Sequence, residues 1–293
     1  MPDNKKCGLL APCLRLPAIA MVLVILLHPP AAQAQPSPGY YRSSMVRSMS
    51  FSEGYDDLWG PQHQTPSQDQ KALTLLMDRS SGQLVPFLVW ACSYGGIYAG
   101  SGFKSKRSYR NGYFGASIEV QPGYTAFYLS NNELYPGNHD EIDMELLGTV
   151  PGEPYTLQTN VYVRGTGDGA RLVGREMRFY LWRYERKTEA TFPDREMWAY
   201  GSIWDASDGG RYRADYPYQP FVAGFQGFRT AGCEVAAPSS CRPVPASPAR
   251  AGLSAQQRDA MRLAQQRSMV YYYCQDSTKD RALLPRVLIN NPP

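Results

Sequence analysis

Glu141, Asp143 and Glu145 alternate with Ile142, Met144 and Leu146 in the run His139-Asp140-Glu141-Ile142-Asp143-Met144-Glu145-Leu146-Leu147-Gly148. A period of two is that of an extended strand, and it lines three carboxylates along one face. Like charges crowded on one face repel, so such a face is solvated, binds a cation, or works on a substrate. Cleaving a glycosidic bond with retention needs two carboxyl groups about 5–5.5 Å apart, one a nucleophile and one a general acid that later serves as base. Residues four apart on a strand have Cα atoms roughly 13 Å apart, at about 3.3 Å per residue. Two glutamates must therefore lean inward over the sugar, and their length lets them reach where aspartate falls short. Asp143, between them, can hydrogen-bond the nucleophile and hold its charge state apart from that of the acid. Residue type thus fits Glu141 and Glu145 as nucleophile and acid/base with Asp143 as auxiliary, although direction along the strand does not say which Glu is which. The rival is a cation site of Asp140, Glu141, Asp143 and Glu145, against which alternation sends Asp140 to the opposite face. No metal and no cofactor is expected.

The elements that must carry this array read as strands. Among 293 residues there are 21 Tyr, 26 Gly and 24 Pro with only 19% charged residues, a composition of short strands, many turns and abundant aromatic surface. Strands are expected around Met49–Tyr55 and over Ala72–Met77, Tyr113–Val120, Thr125–Ser130, residues 140–147, Tyr155–Val163, Arg175–Trp182, Met197–Trp204 and Met269–Cys274. Turns at Pro122-Gly123, Pro136-Gly137, Pro151-Gly152 and Gly165–Gly169 fall between them at the spacing of an all-β fold, a β-sandwich or jelly roll. The one expected helix runs from Ala255 to about Ser268, with Ser254 and Gln257 as its capping box. Gln83–Gly100 is apolar without clean alternation and interrupts the rhythm.

At the N-terminus, Lys5, Lys6 and Arg15 precede an apolar run from Leu16 to Leu27, and Ala32-Gln33-Ala34 offers small residues at cleavage-site spacing. Residues 1–34 therefore read as a secretory signal peptide, too short and wrongly flanked to span a membrane. This segment carries a net +2 of the whole-chain +4, so the mature chain keeps +2 and no electrostatic footprint for nucleic acid. Cleavage removes Cys7 and Cys13 and sends Cys92, Cys233, Cys241 and Cys274 into an oxidising compartment. Cys233 and Cys241, close together in a Gly/Pro/Ser-rich loop, make the best disulfide, and Cys92 and Cys274 are left without an evident partner beyond each other.

The run HDEIDMELLG, followed by GEPYTLQTNVYVRGTGDG and later by GREMRF, MWAYGSIWDAS and YRADYPYQPF, resembles the plant xyloglucan endotransglucosylase/hydrolases of glycoside hydrolase family 16 over most of residues 49–280. The resemblance implies a secreted, monomeric cell-wall enzyme of the apoplast. Its domains would be a β-sandwich over residues 35–225 and a C-terminal extension over 226–293. It implies cleavage of xyloglucan by a retaining double displacement, with transfer to a xyloglucan oligosaccharide acceptor or to water, and no nucleic acid or membrane partner after signal cleavage. It directs the roles: Glu141 nucleophile, Asp143 helper, Glu145 acid/base. It further implies sugar contacts from Gln158, Thr159, Asn160, Gly174, Arg175, Glu176 and Gly210, aromatic platforms at Trp204 and Tyr128, and a basic residue at Arg281.

Against the family pattern, Gln83–Gly100 is an insertion, about two strands are missing after Leu181-Trp182, and a tryptophan-bearing loop is missing after Ser207. Missing strands would leave their neighbours with uncovered apolar surface. A catalytically impaired sugar-binding protein and a hydrolase of related β-glucans are the alternative readings.

Overall fold

The computed structural model describes residues 46–81, 100–120, 123–148, 155–167, 172–175, 184–185, 192–205, 214, 216–241, 255–273, 276, 278 and 286–287. The described part opens with a one-turn helix, α1 (Phe51–Gly54), whose first turn is capped by Ser50 accepting from the Glu53 N–H. There follow β1 (Tyr55–Trp59), β2 (Gln64–Pro66), β3 (Ala72–Met77), β4 (Gly100–Ser105), β5 (Tyr109–Val120), β6 (Gly123–Ser130), β7 (Glu141–Gly148) and β8 (Thr156–Tyr162). Then come β9 (Leu172–Arg175), β10 (Tyr184–Glu185), β11 (Trp198–Trp204), β12 (Phe221–Glu234), the helix α2 (Ala255–Ser268), β13 (Met269–Tyr272) and β14 (Arg286–Val287). Among the described residues no helix is long and apolar enough to cross a membrane.

Two antiparallel sheets form a sandwich of jelly-roll type. One has the order β1-β4-β11-β6-β7-β8-β9-β13, and the other β2-β3-β12-β5. In β3, Leu73, Leu75 and Met77 are buried while the residues between them are half-buried; in β12, Phe221, Ala223 and Phe225 alternate in the same way. These six side chains share one core with Phe103 of β4, Phe127 of β6, and Ala199 and Ile203 of β11. The Phe103 ring meets Phe225 edge-on at 5.1 Å across the two sheets and Tyr55 at 5.3 Å.

This core fixes the opposite face. With Phe127 and Ile203 inward, Tyr124, Ala126, Tyr128 and Ser130 of β6 point away from the second sheet, and so do Trp198, Tyr200, Ser202 and Trp204 of β11. The register then carries Leu147, Glu145, Asp143 and Glu141 of β7 onto that outer face, opposite Tyr124, Ala126, Tyr128 and Ser130. On the inner face, Phe127 is 8% exposed whereas Met144, paired with it one strand further on, is 46% exposed. The second sheet packs chiefly on β4, β11 and β6, and its cover thins at β7.

Several elements differ from the sequence expectations. Phe51–Gly54 forms a helical turn where a strand is expected, because Phe51 drops into the core while Ser50 caps the turn. β12, the longest strand, goes unforeseen because its alternation is broken at Gly227, which takes φ +64° where the pairing with β5 slips between Gln226 and Arg229. Gly100, the last residue of the expected insertion, starts β4 and pairs with Trp204. A strand is present at Leu172–Arg175, overlapping the expected strand Arg175–Trp182 at its first residue; residues 176–182 fall outside the described residues, as do the expected signal peptide and residues 83–99.

Candidate active site

β7 presents Glu141, Asp143 and Glu145 side by side between β6 and β8, with β6 supplying Tyr128 opposite Asp143 and β8 supplying Asn160 opposite Asp143 and Gln158 opposite Glu145. Directly paired residues on one face stand close enough for side chains to touch. Gln158 Nε2 donates to Glu145 Oε2 at 2.7 Å, which holds that carboxylate in place over β8. Asp143 is 7% exposed. Burial pushes its carboxyl well above the usual aspartate range, the flanking charges of Glu141 and Glu145 push it the same way, and it donates a hydrogen bond to Glu141. The three carboxyl groups are thus not equivalent: burial and its two charged neighbours favour the protonated form at the middle one.

The strand is anchored at its start by Asp140, which is fully buried. Its Oδ1 accepts from the Arg164 N–H at 2.9 Å and from Arg195 Nη2 at 2.9 Å; its Oδ2 accepts from the Asp194 N–H, the Arg195 N–H and Arg195 Nε, each at 3.3 Å. Burial pushes this carboxyl up, but the hydrogen bonds from Arg195 and from the two backbone N–H groups outweigh it and leave the group below the usual range. Both oxygens are filled by donors, so Asp140 has no lone pair directed at a cation with the outer carboxylates. Asn131 closes the same junction: its Oδ1 accepts from the Asp140 N–H at 2.7 Å and its Nδ2 donates to the Glu196 carbonyl at 3.0 Å.

His139 is a neighbour that the strand pattern did not single out. Its Nε2 lies 3.9 Å from Glu141 Oε2 and its ring stacks on Tyr162 at 5.3 Å. Its place directly before the acidic run was the available signal. Tyr128 stacks on Tyr200 at 5.0 Å with the rings 13° apart, and Tyr200 Oη donates to Glu133, which also pairs with Lys104. Trp204 lies 5.9 Å from Tyr124. Both expected platforms, Tyr128 and Trp204, are therefore on the carboxylate face and half-buried.

Of the expected sugar contacts on β8, Gln158 and Asn160 share the carboxylate face, but Thr159 does not. It pairs with Met144 on the inner face and is 1% exposed, because strand alternation cannot place three consecutive side chains on one side. On β9, Arg175 stands in register with Thr156 and Gly174 with Leu157. Glu176, Gly210 and Arg281 lie outside the described residues. The expected disulfide forms between Cys233 and Cys241, with Cα atoms 5.9 Å apart.

Residues 51–188 match the family described as Glycosyl hydrolases family 16. The chain is 45% identical to "Xyloglucan endotransglucosylase/hydrolase protein 31" of Arabidopsis thaliana over 92% of its own length and 98% of that protein. It is 32% identical to "Probable xyloglucan endotransglucosylase/hydrolase protein 30" of the same plant over 83% of its length and 78% of that protein. Among solved structures, a prokaryotic β-1,3-1,4-glucanase (lichenase) derived from a mouse hindgut metagenome covers 64% of the chain and 98% of itself at 14% identity and a TM-score of 0.43.

Proposed function

Since the chain belongs to the xyloglucan endotransglucosylase/hydrolases of glycoside hydrolase family 16, we propose that it cleaves the β-1,4-glucan backbone of xyloglucan with retention and passes the glycosyl group to a xyloglucan oligosaccharide or to water. The observation that carries this reading is the buried Asp143 set between Glu141 and Glu145 on one strand face, with Glu145 held by Gln158. That arrangement supports a division of labour. Glu141 attacks the anomeric carbon and forms a glycosyl ester as the bond to the leaving oxygen breaks, and Glu145 gives its proton to that oxygen. In the second step Glu145 takes a proton from the incoming hydroxyl, which attacks the anomeric carbon and releases Glu141. The Asp143 hydrogen bond steadies the Glu141 carboxylate as its charge returns, which makes it a better leaving group.

Residues 1–34 would direct the chain to the secretory route and so to the cell wall where xyloglucan lies. The test is incubation of purified protein with xyloglucan and a labelled xyloglucan oligosaccharide, beside a Glu141→Ala control. Label moving into polymer, or new reducing ends, with the wild type alone is the expected result. Equal signal from both proteins would leave a sugar-binding protein without catalysis, and faster turnover of mixed-linkage β-glucan than of xyloglucan would reassign the substrate.

A further inference from the structure

Trp59 lies where β1 ends, and no expectation from the sequence gives it a role. Its register partner is Gly102 of β4, which pairs in turn with Ser202 of β11; Ser202 pairs with Ala126 of β6, and Ala126 with Glu145. One row across five strands thus joins Trp59 to the carboxylate face. β4 accommodates the indole by having no side chain beneath it. A Cβ on Gly102 would stand 2.4 Å from Trp59 Nε1, and one on Gly100 would stand 2.9 Å from Trp59 Cη2. Gly100 also takes φ +141°, a conformation that L side chains rarely adopt. The indole therefore spans the two glycines, held from below and half-exposed above.

Its backbone is fixed as well, because Gln64 Nε2 donates both to the Trp59 carbonyl at 3.0 Å and to the Gly102 carbonyl at 2.8 Å. Among the described residues none accepts from the indole N–H. Next to it, Trp204 stands in register with Gly100, and Tyr124 packs against Trp204. Trp59 and Trp204 thus lie side by side over β4 and β11, while Tyr124 behind Trp204 is fully buried opposite Leu147 and supports that indole from beneath.

We propose that Trp59, laid over Gly100 and Gly102, is a sugar-stacking platform for a distal unit of a β-1,4-glucan chain whose scissile bond lies at Glu141 and Glu145. β4 and β7 are three strand spacings apart, about 14 Å at about 4.8 Å each. A chain must therefore extend several units beyond the cleaved bond to reach the indole. β-Linked glucosyl units carry axial C–H groups on both faces, and such a flat apolar face buries well on an indole that is already held in place. The glycines make room for a large ring at the sheet surface, Trp204 beside it continues the aromatic surface onto β11, and the indole N–H, which no described residue accepts, offers a donor to a ring-edge hydroxyl. This inference rests on the glucan-cleaving reading of the site, and it adds a preference for chain length.

The experiment compares wild type, Trp59→Ala and Trp59→Tyr on a series of linear β-1,4-glucan oligosaccharide donors of increasing length, each protein first shown to melt cooperatively at a similar temperature. Wild type is expected to gain apparent affinity once the donor is long enough to reach β4. Trp59→Ala should lose about three- to tenfold of that length advantage, and Trp59→Tyr, which keeps a stacking ring, should recover most of it. An unchanged length advantage in Trp59→Ala, or an equal loss for every donor, overturns the platform. Calorimetric titration of the same series into the three proteins in the Glu141→Ala background reads the platform without turnover. An inactive wild type whose long-chain binding still depends on Trp59 would sink the enzymatic reading and keep the platform; an active one without that dependence would do the reverse.

Discussion

Gln158 Nε2 meets Glu145 Oε2 at 2.7 Å across the β7–β8 ladder, in a directly opposed pair on the carboxylate face. A hydrogen bond to a charged partner is worth roughly 1.5–3 kcal/mol when one side is removed. Gln158→Leu should therefore lower kcat/KM by about tenfold to a hundredfold. Because Glu145 acts in both chemical steps, most of the loss should appear in kcat, which Michaelis–Menten measurements on xyloglucan would show. A loss confined to KM would make Gln158 a sugar contact and nothing more.

Asp143 should govern how stability depends on pH. Its folded carboxyl is raised by burial and by the flanking glutamates, so it binds its proton more tightly folded than unfolded. The stability this contributes is fully present below the unfolded value near about 3.9 and is lost as pH rises through the higher folded value. Relative to Asp143→Asn, which keeps a donor but does not titrate, the wild type should lose melting temperature steadily as pH climbs from about 4. Parallel melting-temperature curves for the two proteins would contradict the buried, protonated state.

Asp140 should behave in the opposite sense. Its carboxyl is depressed in the folded protein, so its contribution is present above the unfolded value and disappears as pH falls through the folded one. Asp140→Ala strands the Arg195 guanidinium and three backbone donors, and should cost about 3–5 kcal/mol in urea unfolding. Arg195→Met should cost less, since Asp140 keeps its three backbone donors, and the double variant should cost less than the two added, because each single change leaves the other charge without its opposite. Additive losses would mean that the pair does not act as one anchor.

Much of this was legible in the sequence for a simple reason. Glu141 to Leu146 alternate without a break, and period two fixes which side chains share a face once one of them is placed. The same rule, applied to Gln158-Thr159-Asn160, sends Thr159 inward, which a resemblance to a family motif passes over. Asp140 was harder, since nothing local reveals that Arg195, 55 residues away in the chain, comes back to grip it. β12 escaped notice because Gly227 interrupts its alternation, and Trp59 because its significance lies in two missing side chains on β4, which no linear pattern displays.

The uneven cover over the inner face can be tested by truncation. Phe127→Ala should cost about 3–5 kcal/mol, as expected for a buried phenylalanine. Met144→Ala, its neighbour on β7 at 46% exposure, should cost less than about 1 kcal/mol. Comparable losses in chemical denaturation would show that Met144 is covered in solution.

The central claim is that Glu141 forms the covalent intermediate while Glu145 handles the proton. A 2-fluoro β-glucan oligosaccharide carrying a good leaving group slows release of the intermediate more than its formation, and intact-mass and peptide-mapping spectrometry then locates the attached sugar. The account predicts one glycosyl unit bound through an ester on Glu141, in wild type and Gln158→Leu alike, and none in Glu141→Ala. A label on Glu145, or turnover with inverted stereochemistry and no label at all, would contradict it.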